Sequence, residues 1–361
     1  MRLATKLLLA TCIPPFLIMG MGLQFGNIAK PSLRAALARS ASSEVRALYD
    51  EIDRLMLNRA AVWQAYARSP LVQDALRVSN EEFAKMPAWK SVLEAREFDW
   101  RSGDPAKSES LVEEIRSSPL SKDLTNTLAK LNETSGYPAF GEVFVTNTYG
   151  ANVAMSQRTT DYDQSDEEWW EEASKNSPYF GDVYLDESTE HDSVEICIKV
   201  ESDAGEFLGV LKAVMHINGI YRIVDAHALN LGASCSLGLL KSDGSIIRMN
   251  ASASAPRSAA RKYLVGGETP MGRRVSLTTH VDEDGADLLT FGARAREVDV
   301  TAGLGWVVVH QIESKAVLAP IRKLRWTALK MSALVGLLGL MIVGALALPL
   351  SRRIGRLEDA T

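Results

Sequence analysis

The sequence predicts an α+β protein: a long N-terminal helix followed by two tandem antiparallel-sheet units, flanked by two transmembrane helices. Three observations predict it. Leu7 to Ile28 and Met331 to Leu350 are nearly unbroken apolar runs, each of the about 20 residues that cross a bilayer core. Ala41, Val45, Leu48, Ile52, Leu55, Val62 and Tyr66 recur at steps of three and four, the signature of one apolar helix face. Beyond them come two series of β-rich runs, each opening on a hairpin signal.

The elements follow in order. A backbone crosses lipid only with its polar groups paired internally, so both apolar runs are expected to be helical. The first contains Pro14 and Pro15 and reads as an uncleaved anchor rather than a signal peptide, since no small-residue cleavage site follows it. Arg2 and Lys6 precede the first run, and Arg352, Arg353 and Arg356 follow the second. Positive charge in short flanks marks the inner side, so both ends are expected in the cytoplasm and the region between them outside. The stripe from Ala41 gives a helix of about 50 Å at 1.5 Å per residue. It serves either as packing within its own domain or as a dimer seam. Ser69 and Pro70 interrupt it. Pro70 to Leu131 is mixed helix and loop, carrying Trp89 and Trp100.

Strands begin with Glu142 to Thr146, turn at Asn147 to Gly150, and return over Asn152 to Ser156. Ser165 and Glu168 fit a helix capping box ahead of Trp169 and Trp170. Further strands are expected over Gly181 to Leu185, Val194 to Val200 and Phe207 to Ile217, the last two joined by a turn at Asp203 to Gly205. Asn218 to Leu229 reads as a helix. A second hairpin, Ser234 to Leu240 and Ser245 to Asn250, turns at Lys241 to Gly244. Strand-like runs recur at Arg274 to His280, Asp287 to Ala293 and Gly305 to Gln311; Ala251 to Arg261 is helix or loop. Ser314 to Lys330 is helical and leads into the second span. The two hairpins echo each other as a weak internal repeat. Of three cysteines, Cys197 and Cys235 lie in separate strands and are expected to be reduced.

The order of these pieces resembles the double Cache sensor domains of bacterial chemoreceptors, sensor kinases and diguanylate cyclases. The resemblance rests on VFVTNTYGANVAMS at Val143 to Ser156, TTDYDQSDEEWWEEA at Thr159 to Ala173 and FLGVLKAVMHI at Phe207 to Ile217, and covers about Lys30 to Arg325. It implies two PAS-like units on a long helix, with a small-molecule ligand in the membrane-distal one. Leu350 to Leu357 is similar to the start of a HAMP helix. The implied organisation is a cytoplasmic end (1–6), first span (7–28), long signalling helix (29–68), membrane-distal ligand-binding unit (69–222), membrane-proximal unit (223–325), second span (326–350) and HAMP-like start (351–361).

The resemblance implies a pocket between the first sheet and its crossing loops. Tyr162, Trp169 and Trp170 would wall it; Asp182, Tyr184, Lys212 and Val214 are the further ligand-binding residues. The family's amino-acid-binding pattern resembles Y-x-x-x-x-R-x-W-Y followed by an Asp on a G-V-x-x-A-D strand. Here Glu167 holds the Arg position and Val214 the Asp position. The groups that would grip a carboxylate and an ammonium are both replaced, so an ordinary α-amino acid is not the expected ligand. By strand alternation Lys212, Val214 and His216 share a face. A buried lysine needs an acid, either Glu195 on the preceding strand or an anionic ligand. The acids around Asp161, Asp163 and Asp166 lack the spacing of a calcium loop and read as a solvated helix start.

Composition and motifs bound the function. A net charge of −5 speaks against nucleic-acid binding. No nucleotide-binding loop, zinc-protease motif, nucleophile elbow or CxxC is present in the sequence. The expectation is therefore a non-enzymatic, cofactor-free sensor of the bacterial inner membrane, a homodimer, with a small-molecule ligand outside and its output beyond residue 361. The alternatives are a membrane-anchored binding module acting through a partner protein and, behind it, an extracytoplasmic enzyme.

Overall fold

The computed structural model describes residues 3–102, 104–186, 191–229, 231, 235–251, 269–270, 275–281 and 287–358. The chain is a mixture of helix and antiparallel sheet with a long N-terminal helix, and it divides into two compact units. One comprises the described residues of Met1–Ser43, Leu277–Phe291 and Gln311–Thr361; the other comprises those of Glu44–Ser276 and Gly292–His310.

The first apolar run and the long helix are one element, α1 (Leu3–Ala67), continuous through Pro14, Pro15 and Pro31. Its buried stripe is Ala41, Val45, Leu48, Ile52, Met56, Ala60, Trp63 and Ala67. This corrects the predicted stripe beyond Ile52. Stepping by three to Leu55 loses phase against 3.6 residues per turn, and Val62 is 37% exposed. Arg59 does not interrupt the corrected stripe; it flanks it and donates to Ser135 Oγ at 3.0 Å.

The predicted break falls at Ser69 and Pro70. Helix α2 (Pro70–Ala84) starts there, with Ser69 Oγ accepting from Val72 N and Pro70 in the first turn. Here the missing N–H of proline costs nothing. Ser69→Ala is expected to lower stability by about 1 kcal/mol; an unchanged urea midpoint would show the cap to be idle. Helices α3 (Trp89–Arg101), α4 (Pro105–Ser117) and α5 (Pro119–Ser135) follow.

The first sheet contains β1 (Phe140–Asn147), β2 (Asn152–Met155), β3 (Tyr179–Phe180), β4 (Tyr184–Asp186), β5 (His191–Glu201) and β6 (Phe207–His216). Its order is β2-β1-β6-β5-β3, with β4 also on β5. The single strand expected over Gly181 to Leu185 is thus two short ones. Helix α6 (Glu168–Lys175) lies between β2 and β3 in sequence. The predicted capping box is absent: Glu167 is the cap residue and makes no side-chain cap bond. Ser165 sits two residues before the cap, its N–H held by Asp163 Oδ1 at 2.9 Å.

Helix α7 (Asn218–Leu229) leads to the second sheet, with β7 (Cys235–Leu240), β8 (Ile246–Ala251), β9 (Thr269–Pro270), β10 (Val275–Val281), β11 (Asp287–Arg294) and β12 (Val307–Glu313). Its order is β8-β7-β12-β11-β10-β9. In each sheet the set's last strand lies beside its first, and that first strand forms a hairpin with the next. Both hairpins close on a glycine of positive φ, Gly150 at 86° and Gly244 at 85°, a conformation that excludes most side chains. The internal repeat therefore exists in the wiring of the strands. Cys197 is a free, buried thiol. The stretch expected as helix or loop, Ala251 to Arg261, lies outside the described residues after Ala251, as does Arg274.

Helix α8 (Ser314–Glu358) follows β12 without an intervening residue. Its stretch Ser314–Ala345 is long and apolar enough to cross a membrane. At the other end the described apolar helix is the shorter Ile13–Gly22. The two helices touch: Ser332 Oγ donates to Pro15 O at 2.6 Å. A Cβ on Gly22 would stand 2.6 Å from that of Ala328, so this close approach requires glycine.

Candidate functional site

One face of the first sheet carries Phe144, Cys197 and Val210, and these pack with Tyr162, Trp169 and Ala173. Phe83, Leu93, Trp100, Val112 and Ile115 from α2, α3 and α4 complete the same cluster. Lys212 stands opposite both Phe144 and Cys197 in the strand ladder, so alternation puts its side chain on this apolar face. The other face presents Val145, Ile196, Leu211 and Ala213, all buried.

The charge on that face is paired. Lys212 Nζ lies 2.6 Å from Glu195 Oε1, with the two side chains 10% and 18% exposed. The same ammonium sits 4.4 Å from the ring centre of Trp169, where the ring's negative face attracts it. Glu195, one of the two partners open to Lys212 from sequence, pairs with it. Gly181 makes this possible, because a Cβ there would stand 2.7 Å from Glu195 Oε2. Glu167 is also near. Burial raises its carboxyl above the usual range, and the Lys212 charge pulls it back down in part. Burial pushes the Cys197 thiol well up, so it is an inert apolar group.

The two tryptophans divide their tasks. Trp169 is 4% exposed and meets Phe144 edge-on at 5.7 Å. Trp170 is half-buried and packs on the rim of the cluster, its indole N–H donating to Thr146 Oγ1 at 2.8 Å. Tyr162 is buried on the loop after β2 and accepts from Arg96 Nη1 at 2.9 Å. Glu97 Oε2 takes the backbone N–H groups of Tyr162 and Asp163 at 2.7 and 2.9 Å, which fixes this loop. Burial raises the Tyr162 phenol, against the opposing pull of Arg96.

Tyr162, Trp169 and Trp170 are thus brought to one cluster, with Lys212 against Trp169; Val214 lies opposite Glu195 on the same face. Asp182 is engaged elsewhere. Its carboxylate accepts from Trp306 Nε1 at 2.9 Å and lies 3.5 Å from Lys241 Nζ, a structural bridge rather than a free ligand group. Tyr184 is half-buried in β4, opposite Ser193. Sequence reasoning missed Arg96 and Glu97, which form no motif. The available signal was Trp100 four residues after Arg96, on one helix face. No group of His, Cys, Asp and Glu that could hold a metal occurs among the described residues.

No family model matches the chain, and no curated protein does. Several solved structures are similar, all sensory domains of receptors. The ligand-binding domain of the Campylobacter jejuni chemoreceptor Tlp3, solved with L-valine, is 13% identical, over 80% of this chain and 97% of that one, with a TM-score of 0.46. The Pseudomonas fluorescens chemoreceptor CtaA domain, solved with L-serine, is 15% identical over 78% and 99%, with a TM-score of 0.42. The sensor domain of the Vibrio cholerae histidine kinase DctB is 10% identical over 78% and 98%, with a TM-score of 0.45.

Proposed function

We propose that the chain is the extracytoplasmic small-molecule sensing region of a bacterial transmembrane receptor of the double Cache type, non-catalytic and anchored by two spans. The observation that carries this reading is the direct passage from sheet to membrane-length helix. Strand β12 ends at Glu313 and α8 begins at Ser314, so no flexible linker absorbs a displacement of the strand before it reaches Ser314–Ala345. A second support is the site. An ion pair buried in an aromatic cluster is an expensive way to stabilise a sheet, and burial raises the neighbouring Glu167 carboxyl, the kind of perturbation that gathers at functional sites.

In this reading the ligand binds against Trp170 and Tyr162 with Trp169, Lys212 and Val214 behind them, in the membrane-distal unit (69–222). The membrane-proximal unit (223–325) and α8 carry the change inward. The ligand moves the receptor only by its difference in affinity for two arrangements, here of a homodimer along α1 coupled to a cytoplasmic output. With Glu167 and Val214 replacing Arg and Asp, the ligand is not an ordinary α-amino acid.

A thermal-shift screen of small metabolites against the full chain in lipid nanodiscs tests this. A hit at 100 times its Kd should stabilise by about 2.7 kcal/mol. Trp170→Ala and Tyr162→Phe are each expected to weaken that hit at least tenfold. Equal binding by both variants would place the ligand elsewhere.

A further inference from the structure

Helix α7 connects the last strand of the first sheet to the first strand of the second, and His227 in its last turn faces α1. Two α1 carboxylates seven residues apart, and so on one face of that helix, reach the same imidazole. Glu44 Oε1 lies 2.7 Å from Nδ1 and Glu51 Oε2 lies 2.9 Å from Nε2. A neutral imidazole has one N–H; the imidazolium has two. Two carboxylates at hydrogen-bond distance from both nitrogens are therefore satisfied together only by the cation. In the neutral ring, one nitrogen lone pair faces a carboxylate oxygen across less than 3 Å.

We propose that His227, Glu44 and Glu51 form a pH-operated clasp between α7 and α1, closed by the imidazolium and released when the ring loses its proton as pH rises. Among the described residues, the charged groups acting on the ring are Glu44 and Glu51 from α1; the charge of Glu44 is also felt by His310 of β12. On α7 itself Asp225 is taken by Arg248 at 2.6 Å, and Arg222 lies over the Tyr137 ring. Burial lowers the His227 ionisation, and the bonds to Glu51 and Glu44 outweigh it, so the net direction is upward. A histidine raised on folding contributes stability that is full below its unfolded value of about 6.5 and is lost as pH rises through the folded value. His310 has the opposite sign: burial holds it down to about 4, so its contribution is full above about 6.5 and is lost as pH falls from there through the folded value.

Hydrogen exchange of the full chain in lipid nanodiscs tests the clasp. The readout is the protection of Asn218–Leu229 across the pH range about 5.5 to 9, corrected for intrinsic exchange. Protection is expected to fall several-fold in one step as pH rises above the free-imidazole value of about 6.5. His227→Gln, which keeps a donor but cannot ionise, should abolish the step. Glu51→Gln, which leaves Glu44 in place, should move it to lower pH. Absence of the step in the unaltered chain, or its persistence unmoved in either variant, overturns the proposal.

Discussion

Replacing Glu195 by glutamine is expected to destabilise the chain by about 3 kcal/mol, because it leaves the Lys212 ammonium buried without the carboxylate that pairs with it. The Lys212–Glu195 pair is 2.6 Å apart and largely buried. What remains after the substitution is the Trp169 face at 4.4 Å, worth about 0.5–2 kcal/mol, and the nearby Glu167 carboxyl, whose charged form burial disfavours. Lys212→Met alone should also be costly, since it strands Glu195 beside the already strained Glu167. The double variant should lose less than either single one, because it removes both buried charges and fills the site with an apolar chain of similar length. Urea midpoints of the four proteins decide it. Losses that simply add would mean the two groups are solvated independently, and the buried pair would cease to mark a functional site.

Trp63→Ala is expected to cost about 3–5 kcal/mol. The ring is fully buried on α1 and meets Phe140 of β1 edge-on at 5.4 Å and Tyr66 at 5.7 Å. It ties the long helix to the first sheet. Its indole N–H has no acceptor among the described residues, so Trp63→Phe removes an unpaired donor along with some volume and should cost less than the alanine variant. A loss below about 1 kcal/mol for Trp63→Ala would show that the helix collapses onto the vacancy or is held elsewhere.

Which parts were legible in the sequence follows from the range of the forces involved. The Ser69–Pro70 break and the span of α7, Asn218–Leu229, are set by caps and local periodicity. The hairpin turns at Gly150 and Gly244 are fixed by a positive φ that local sequence announces. The stripe on α1 failed after Ile52 because Leu55 and Val62 are as apolar as Met56 and Ala60; which set turns inward depends on what lies opposite. The capping box failed because Ser165 is held by Asp163 in the preceding turn, a competition between two local bonds that the motif alone does not resolve.

The sequence by itself determined the α+β class, the hairpin-led doubling of the sheets, the apolar segments at either end and the shared face of Lys212 and Val214. These depend on period, turn chemistry and length. Only the tertiary structure decided that Glu195 holds Lys212, that Asp182 is taken by Trp306 and Lys241, and that Arg96 and Glu97 fix the Tyr162 loop. It also decided that His227 stands between Glu44 and Glu51. Glu195 lies on the strand next to Lys212 and was within reach of the sequence; the other partners lie far away along the chain, and a charge finds its counter-charge there through the packing of whole elements, which no local pattern encodes.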